Sequence, residues 1–416
     1  MKRTILFALA TLLFASCCKD EDKEPELPDR TVLIYVAGDN NLTGSSGGTN
    51  YFTYDLRQIM EGTKNLSTNN NLIMFVDCYD SNPYFVKVER GDTTVLKTMD
   101  SEMNSGDPET LYTAMKYAAD NFPAKSYGLV LWGHADGWIT RGQTTVTRAP
   151  RRAYGVDNIS GRKWMNIPDM ARKLALLPKL KFIFADCCCF MCVEDVYELR
   201  NCADYIIGSA AEIPGEGAPY QTVVPALFSK SDSFYKEIVD AYYAQTSYGY
   251  KLPMAAVECS MLDSLAQATA VAMSTFAGDI EPYSDGCRYP NTNGLIFYFN
   301  HTQFDMQDFV KRYAAPDQYA EWKKVFDKTV PYHTFAEVWM ANHILYKGQD
   351  QKAFSEFTPT EERMGGLGMF VPQQDSDAGS WTTMYLVNLG FTMSRLNSEI
   401  KKMQWYEAAR LADMGW

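Results

Sequence analysis

Histidine is scarce in this 416-residue chain, which holds four, and only His134 sits directly after an apolar strand-like run and before a glycine-containing turn. His301, His333 and His343 lack that setting. Positive charge is also short. The formal net charge is -12 and no Lys/Arg cluster lies beside aromatics, which excludes a nucleic-acid surface and favours cationic partners. After the N-terminus no segment is long and apolar enough to cross a bilayer. The ten cysteines lack the dispersed pairing of a disulfide-stapled fold: Cys187, Cys188, Cys189 and Cys192 crowd together, so these thiols serve chemistry or core packing. No internal repeat and no long linker divides the chain.

With 46% hydrophobic residues the chain can bury a sizeable core, and its length suggests two domains or one with an appendage. Met1-Lys-Arg3, the apolar stretch Thr4 to Ala15 and the small residues before Cys17 resemble a bacterial lipoprotein signal, with Cys17 the lipidated residue. Residues 18–29 then read as an acidic, proline-containing tether. The acidic run after Cys17 resembles the surface-export tag of some Gram-negative lipoproteins. The expected location is the outer membrane or cell surface, with membrane contact through the lipid anchor only.

Thr31 to Val36, Asn71 to Val76, Tyr127 to Trp132, Leu180 to Ala185 and Tyr205 to Ser209 read as buried strands. Between them, helices are predicted from about Tyr54 to Met60, from Asp107-Pro-Glu109 to Asn121, from Asn166-Ile-Pro168 to Leu177 and from Met191 to Asn201. Tyr84 to Thr98 reads as a hairpin through Gly91-Asp92, and Thr140 to Asp157 as an exposed loop. This alternation over residues 30–250 predicts βαβ units with a mostly parallel sheet covered on both faces. Residues 251–416 mix short strands with helices, one of them from Glu399 to Asp413, and are expected to pack closely on the first part.

The two most informative segments are Leu129-Val-Leu-Trp-Gly-His134 and Phe182-Ile-Phe-Ala-Asp-Cys-Cys-Cys189. Each is a strand-like run ending in reactive side chains, and the carboxyl ends of strands in an open parallel sheet are where active sites form. Together they read as a cysteine-histidine catalytic site. A thiolate is the nucleophile of such a site, and a following helix N-terminus near Met191 would favour it and offer amides to an oxyanion. His134 would protonate the leaving amine and then activate water. Several thiols compete for the nucleophile role, and spacing alone does not choose among them.

These segments resemble the clostripain-like cysteine peptidases, of the same clan as caspases, legumains, separase and gingipains. The resemblance runs over about residues 30 to 416, through Val36-Ala-Gly-Asp-Asn-Asn-Leu42, Trp132-Gly-His-Ala-Asp-Gly-Trp138, Asp186-Cys-Cys-Cys-Phe-Met191, Glu194-Asp-Val-Tyr-Glu-Leu199, Pro214-Gly-Glu-Gly-Ala-Pro-Tyr220 and Gly366-Leu-Gly-Met-Phe-Val-Pro372. The family block Asp-Ala-Cys-Leu-Met aligns without gaps if Cys188 is the nucleophile. The chain departs from it at Cys187 for alanine, Cys189 for leucine, and Ala135 for the glycine often found after the histidine.

The resemblance implies a caspase-like α/β/α sandwich and cleavage of proteins or peptides after exposed Arg or Lys. It makes Asp186 the floor of the pocket for that side chain, with Glu216 a weaker second acid, and the backbone amides near Gly133 and Cys188 oxyanion donors. It also implies self-cleavage between the histidine and cysteine strands, where Arg148, Arg151 and Arg152 lie; Arg148-Ala149 is the preferred bond. The chemistry needs no cofactor. Some family members depend on calcium, and an acidic surface can host it, but no loop here shows a regular ligand spacing. Two rivals are a non-catalytic peptide-binding lipoprotein on the same scaffold and a thiol-disulfide oxidoreductase using the Cys189-Phe-Met-Cys192 spacing.

Overall fold

The computed structural model describes residues 26–44, 49–79, 81–139, 153–158, 163–244, 251–274, 280–282, 288–299, 301–339, 356–374 and 392–416. Its centre is a run of apolar strands: β1 (Arg30–Gly38), β2 (Asn70–Cys78), β5 (Tyr127–Gly133), β8 (Leu180–Asp186) and β9 (Ala203–Ser209). These five lie side by side in the order β9-β8-β5-β1-β2, all parallel. Beyond β2 the hairpin of β3 (Tyr84–Glu89) and β4 (Asp92–Thr98) continues the sheet antiparallel. Its turn, at Arg90 and Gly91, has positive φ at both residues, the backbone a tight hairpin requires. At the other edge β10 (Met254–Glu258) and the short strand Tyr332–His333 add antiparallel pairs. The chain after residue 250 therefore completes the same nine-stranded sheet.

Alternation along each strand distributes side chains between two cores. Leu33, Tyr35 and Ala37 of β1 face one, against α2 (Pro108–Asn121) and α3 (Ile167–Leu174). Val32, Ile34 and Val36 face the other, against α1 (Tyr51–Thr63), α5 (Tyr220–Leu227) and α6 (Phe234–Tyr243). This is the α/β/α sandwich the sequence predicts. The start of α2 is legible residue by residue: Asp107 caps it by accepting from the Glu109 N–H at 2.8 Å, and Pro108 follows where no N–H is needed.

Two local expectations are corrected. The segment ending at Asp157 is not an exposed loop throughout: Tyr154–Asp157 forms a fully buried strand, β6. The Tyr154 hydroxyl lies 3.1 Å from both the Tyr35 and Trp132 carbonyl oxygens, an anchor that no periodicity in so short a stretch reveals. The single helix expected from Glu399 to Asp413 is broken into the 3-10 turn Ile400–Lys402, the helix Gln404–Ala408 and the 3-10 turn Leu411–Met414. Met403 is extended and Arg410 takes a left-handed φ of 54°, so neither continues a helix.

Candidate active site

Strand register brings the two reactive segments together. On adjacent parallel strands Trp132 of β5 is paired with Asp186 of β8. Continuing two residues along each, where the period of two restores the same face, reaches His134 and Cys188. Both line one cavity of about 500 Å³ at the carboxyl end of the sheet, with Asn41, Tyr51, Asp136, Trp164, Asp186, Glu212 and Gly217 also on its wall.

The same alternation sorts the competing thiols. Cys187 points into the core on the α2/α3 face and is fully buried; burial pushes its thiol well above the usual range. Cys189 and Cys192 are fully buried as well. Cys188 is half-buried, lies on the α1/α5/α6 face with Asp186, and is the cavity-lining thiol of the four. Its sulfur accepts from the Ile213 N–H at 3.4 Å and stands 3.7 Å from the Ile213 carbonyl oxygen.

The expected helix N-terminus behind the thiol is displaced. Cys189 turns the chain with a left-handed φ of 56°, and α4 (Val193–Glu198) begins five residues after Cys188. The amide beside the sulfur is therefore that of Ile213, in the segment after β9, rather than a first-turn amide of α4.

His134 is held by a residue that sequence reasoning passed over. Its Nε2 is 3.0 Å from the Asn41 Oδ1, and because that oxygen can only accept, Nε2 carries the hydrogen. Its carbonyl accepts from the Gly155 N–H at 2.8 Å, so the buried β6 braces the histidine loop. The signal for Asn41 was present in the polar run Asp39-Asn-Asn41 that ends β1.

Asp186 lies under the cavity and is 3% exposed. Its Oδ2 accepts from the Tyr220 hydroxyl at 2.7 Å and the Ala218 N–H at 3.1 Å, and its Oδ1 accepts from the Tyr242 hydroxyl at 3.2 Å. Burial raises its carboxyl to about 6, against the lowering pull of those three donors. Gly217 closes over it: a Cβ there would come within 2.8 Å of Oδ2, and its φ is +56°, so this turn position needs glycine. Glu216 does not line the cavity; Glu212, unmarked in the sequence reading, does. Beneath Trp132, the fully buried Asp55 of α1 accepts from the indole N–H at 2.7 Å. Burial, then Asp186, raise Asp55 to about 8.

Arg148, Arg151, Arg152 and Cys17 lie outside the described residues. Among the described residues, one set of carboxylates is close enough to share a cation, Asp39, Glu102 and Asp157, and no helix is long and apolar enough to cross a membrane.

A thiol and an imidazole on neighbouring strand ends, over a buried carboxylate, define the class of cysteine peptidases with a caspase-like sheet. The clostripain family profile matches residues 34–405, and the chain belongs to that family. Its solved relatives include a secreted C11 cysteine protease from Bacteroides thetaiotaomicron in complex with an irreversible peptide inhibitor, 26% identical with a TM-score of 0.71, covering 92% of this chain and 99% of that one. An inactive zymogen C11 protease from Parabacteroides distasonis is 27% identical with a TM-score of 0.68, covering 93% and 99%. Clostripain of Hathewaya histolytica is 24% identical over 222 residues, so the match spans 46% of this chain and 41% of clostripain.

Proposed function

We propose that the protein is an exported cysteine endopeptidase that cuts after Arg or Lys, with Cys188 as nucleophile and His134 as acid and base. The observation that carries this reading is the shared cavity, in which Cys188 is the one thiol of its cluster on the wall and His134 and Asp186 flank it. Three acids, Asp136, Asp186 and Glu212, line that cavity, and among the described residues no Lys or Arg does. A cationic substrate side chain reaching the Asp186 carboxylate gains a charge-assisted hydrogen bond worth about 1.5–3 kcal/mol.

In this scheme the Cys188 thiolate attacks the scissile carbonyl carbon, and the oxygen takes the negative charge among backbone amides near Gly133 and Cys188. With Nε2 donating to Asn41, Nδ1 is the nitrogen that exchanges protons. The tetrahedral adduct collapses as the amine leaves with a proton from His134, and a water deprotonated by His134 then hydrolyses the thioester. No cofactor enters these steps.

Export with a lipid anchor at Cys17 and self-cleavage at Arg148, Arg151 or Arg152 belong to the same proposal. The zymogen form of a relative supports the second. The test is mass analysis of the wild type beside Cys188→Ala, with hydrolysis of Arg- and Lys-terminated chromogenic peptides before and after thiol alkylation. The wild type should be cut after one of those arginines and the variant remain whole. Binding of such peptides without hydrolysis would instead favour the non-catalytic scaffold. Burial of both Cys189 and Cys192 leaves the oxidoreductase reading without an accessible dithiol.

A further inference from the structure

One wall of the cavity takes no part in the bond-making steps. It is built by β6 and the strand it pairs with, β7 (Lys163–Met165). Tyr154 and Met165 are register partners buried in the α2/α3 core, whereas Val156 and Trp164 are register partners that line the cavity. The switch between the two pairs falls at Gly155, where the register slips and φ is +59°. A bulge of this kind re-aims the side chain that follows it, here Val156 towards the site. The Gly155 N–H is the one that bonds the His134 carbonyl, and Ala135 bridges Tyr154, so the hairpin is tied directly to the histidine loop.

Trp164 is half-buried, and its ring centroid stands 6.4 Å from that of His134 at an interplanar angle of 41°. Its Nε1 is buried without a hydrogen-bond partner. A buried indole ordinarily pairs that N–H, so the placement forfeits a hydrogen bond and yields an aromatic face beside the imidazole. The pocket carboxylate belongs to the other side of the sheet: Asp186 bonds Tyr220 and Tyr242 of the α5/α6 layer, while the β6-β7 hairpin is rooted in the α2/α3 core. Cys188 and His134 lie at the strand ends between the two.

We propose that Trp164 and Val156 form a subsite for an apolar or aromatic side chain on the first residue of the leaving fragment. This rests on the peptidase reading of Cys188 and His134. A side chain that reaches Asp186 descends on one face of the sheet. The general acid must come within hydrogen-bond reach of the leaving nitrogen. The residue that carries this nitrogen therefore passes on the His134 side of the sulfur, where Trp164 is the neighbouring ring. A cut site is then recognised from both sides, by charge before the bond and by apolar surface after it. Packing such a side chain on Trp164 and Val156 removes apolar area from water, and an aromatic one adds a ring-ring contact.

Peptides with arginine before the bond and Phe, Leu, Ser or Gly immediately after it test this. Wild-type kcat/KM should be at least about tenfold higher for Phe and Leu than for Gly, and in Trp164→Ala that ratio should collapse to within about twofold. Trp164→Phe should keep most of it. Each ratio is internal to one variant, so a general loss of activity or stability cancels. Cys188→Ala titrated with the same peptides should bind them in the same order, and adding Trp164→Ala should abolish that order. If the wild type cuts none of the peptides, the peptidase reading fails and the binding order alone decides the subsite. A Phe-to-Gly ratio near one, in rate or in that case in affinity, or a preference that Trp164→Ala leaves intact, would overturn the proposal.

Discussion

Trp132 and Asp186 are register partners on adjacent parallel strands, and each lies two residues before a reactive side chain of the same cavity. Every functional expectation follows from that pairing: Trp132 and Asp186 line the wall while His134 and Cys188 stand beyond them on the rim.

The first concerns the thiols. Iodoacetamide should modify Cys188 at least about tenfold faster than Cys187, Cys189 or Cys192, because those three are fully buried and a buried thiol holds its proton. Peptide mapping of briefly alkylated protein reads this out, and loss of hydrolysis should track labelling of Cys188 alone.

Asp186→Asn should lower kcat/KM for Arg- and Lys-containing peptides by about ten- to a hundredfold, the equivalent of one charge-assisted hydrogen bond. In the wild type KM should rise as pH falls below about 6, because the Asp186 carboxylate is protonated there. Tyr220→Phe removes a 2.7 Å donor to that carboxylate. It should move the KM transition to higher pH, since the lost bond favoured the charged form. Steady-state kinetics from pH 5 to 8 checks both.

Asn41→Ala should reduce kcat by about tenfold with little change in KM, because Asn41 is bonded to the imidazole and is not among the hydrogen-bond partners of the Asp186 carboxylate. Asn41→Asp, which keeps an accepting oxygen, should restore part of the loss.

Asp55 bears on stability. Its folded carboxyl is raised to about 8, above the unfolded value near 3.9. The folded state therefore holds a proton that the unfolded state has released, and stability falls as pH rises between those values. Asp55→Asn keeps an acceptor for the Trp132 N–H and removes that proton. Relative to wild type it should gain on the order of 2 kcal/mol between pH 6 and pH 8, measured by urea unfolding.

The sheet was legible because its strands are nearly continuous apolar runs, and α2 because its cap and proline mark its start. The histidine and cysteine segments were legible for the same reason: each reactive side chain ends a strand. What escaped was long-range. Asn41, Tyr220 and Tyr242 meet their partners across 93, 34 and 56 residues, and side-chain bonds at such separations leave no local period. Glu212 was hidden behind Glu216 because turn geometry, not spacing, decides which acid faces the cavity. The carboxylates near Asp77 come from four separate segments, so no local spacing announces their approach.

The most direct measurement is to incubate the protein with a peptide that ends in arginine and carries a thiol-reactive ketone, then locate the adduct by mass spectrometry. One adduct on Cys188 is expected, formed much more slowly in Asp186→Asn and not at all in Cys188→Ala. An adduct on Cys187, Cys189 or Cys192, or equal labelling when arginine is replaced by an acidic residue, would contradict the assignment of Cys188 and its carboxylate-floored cavity.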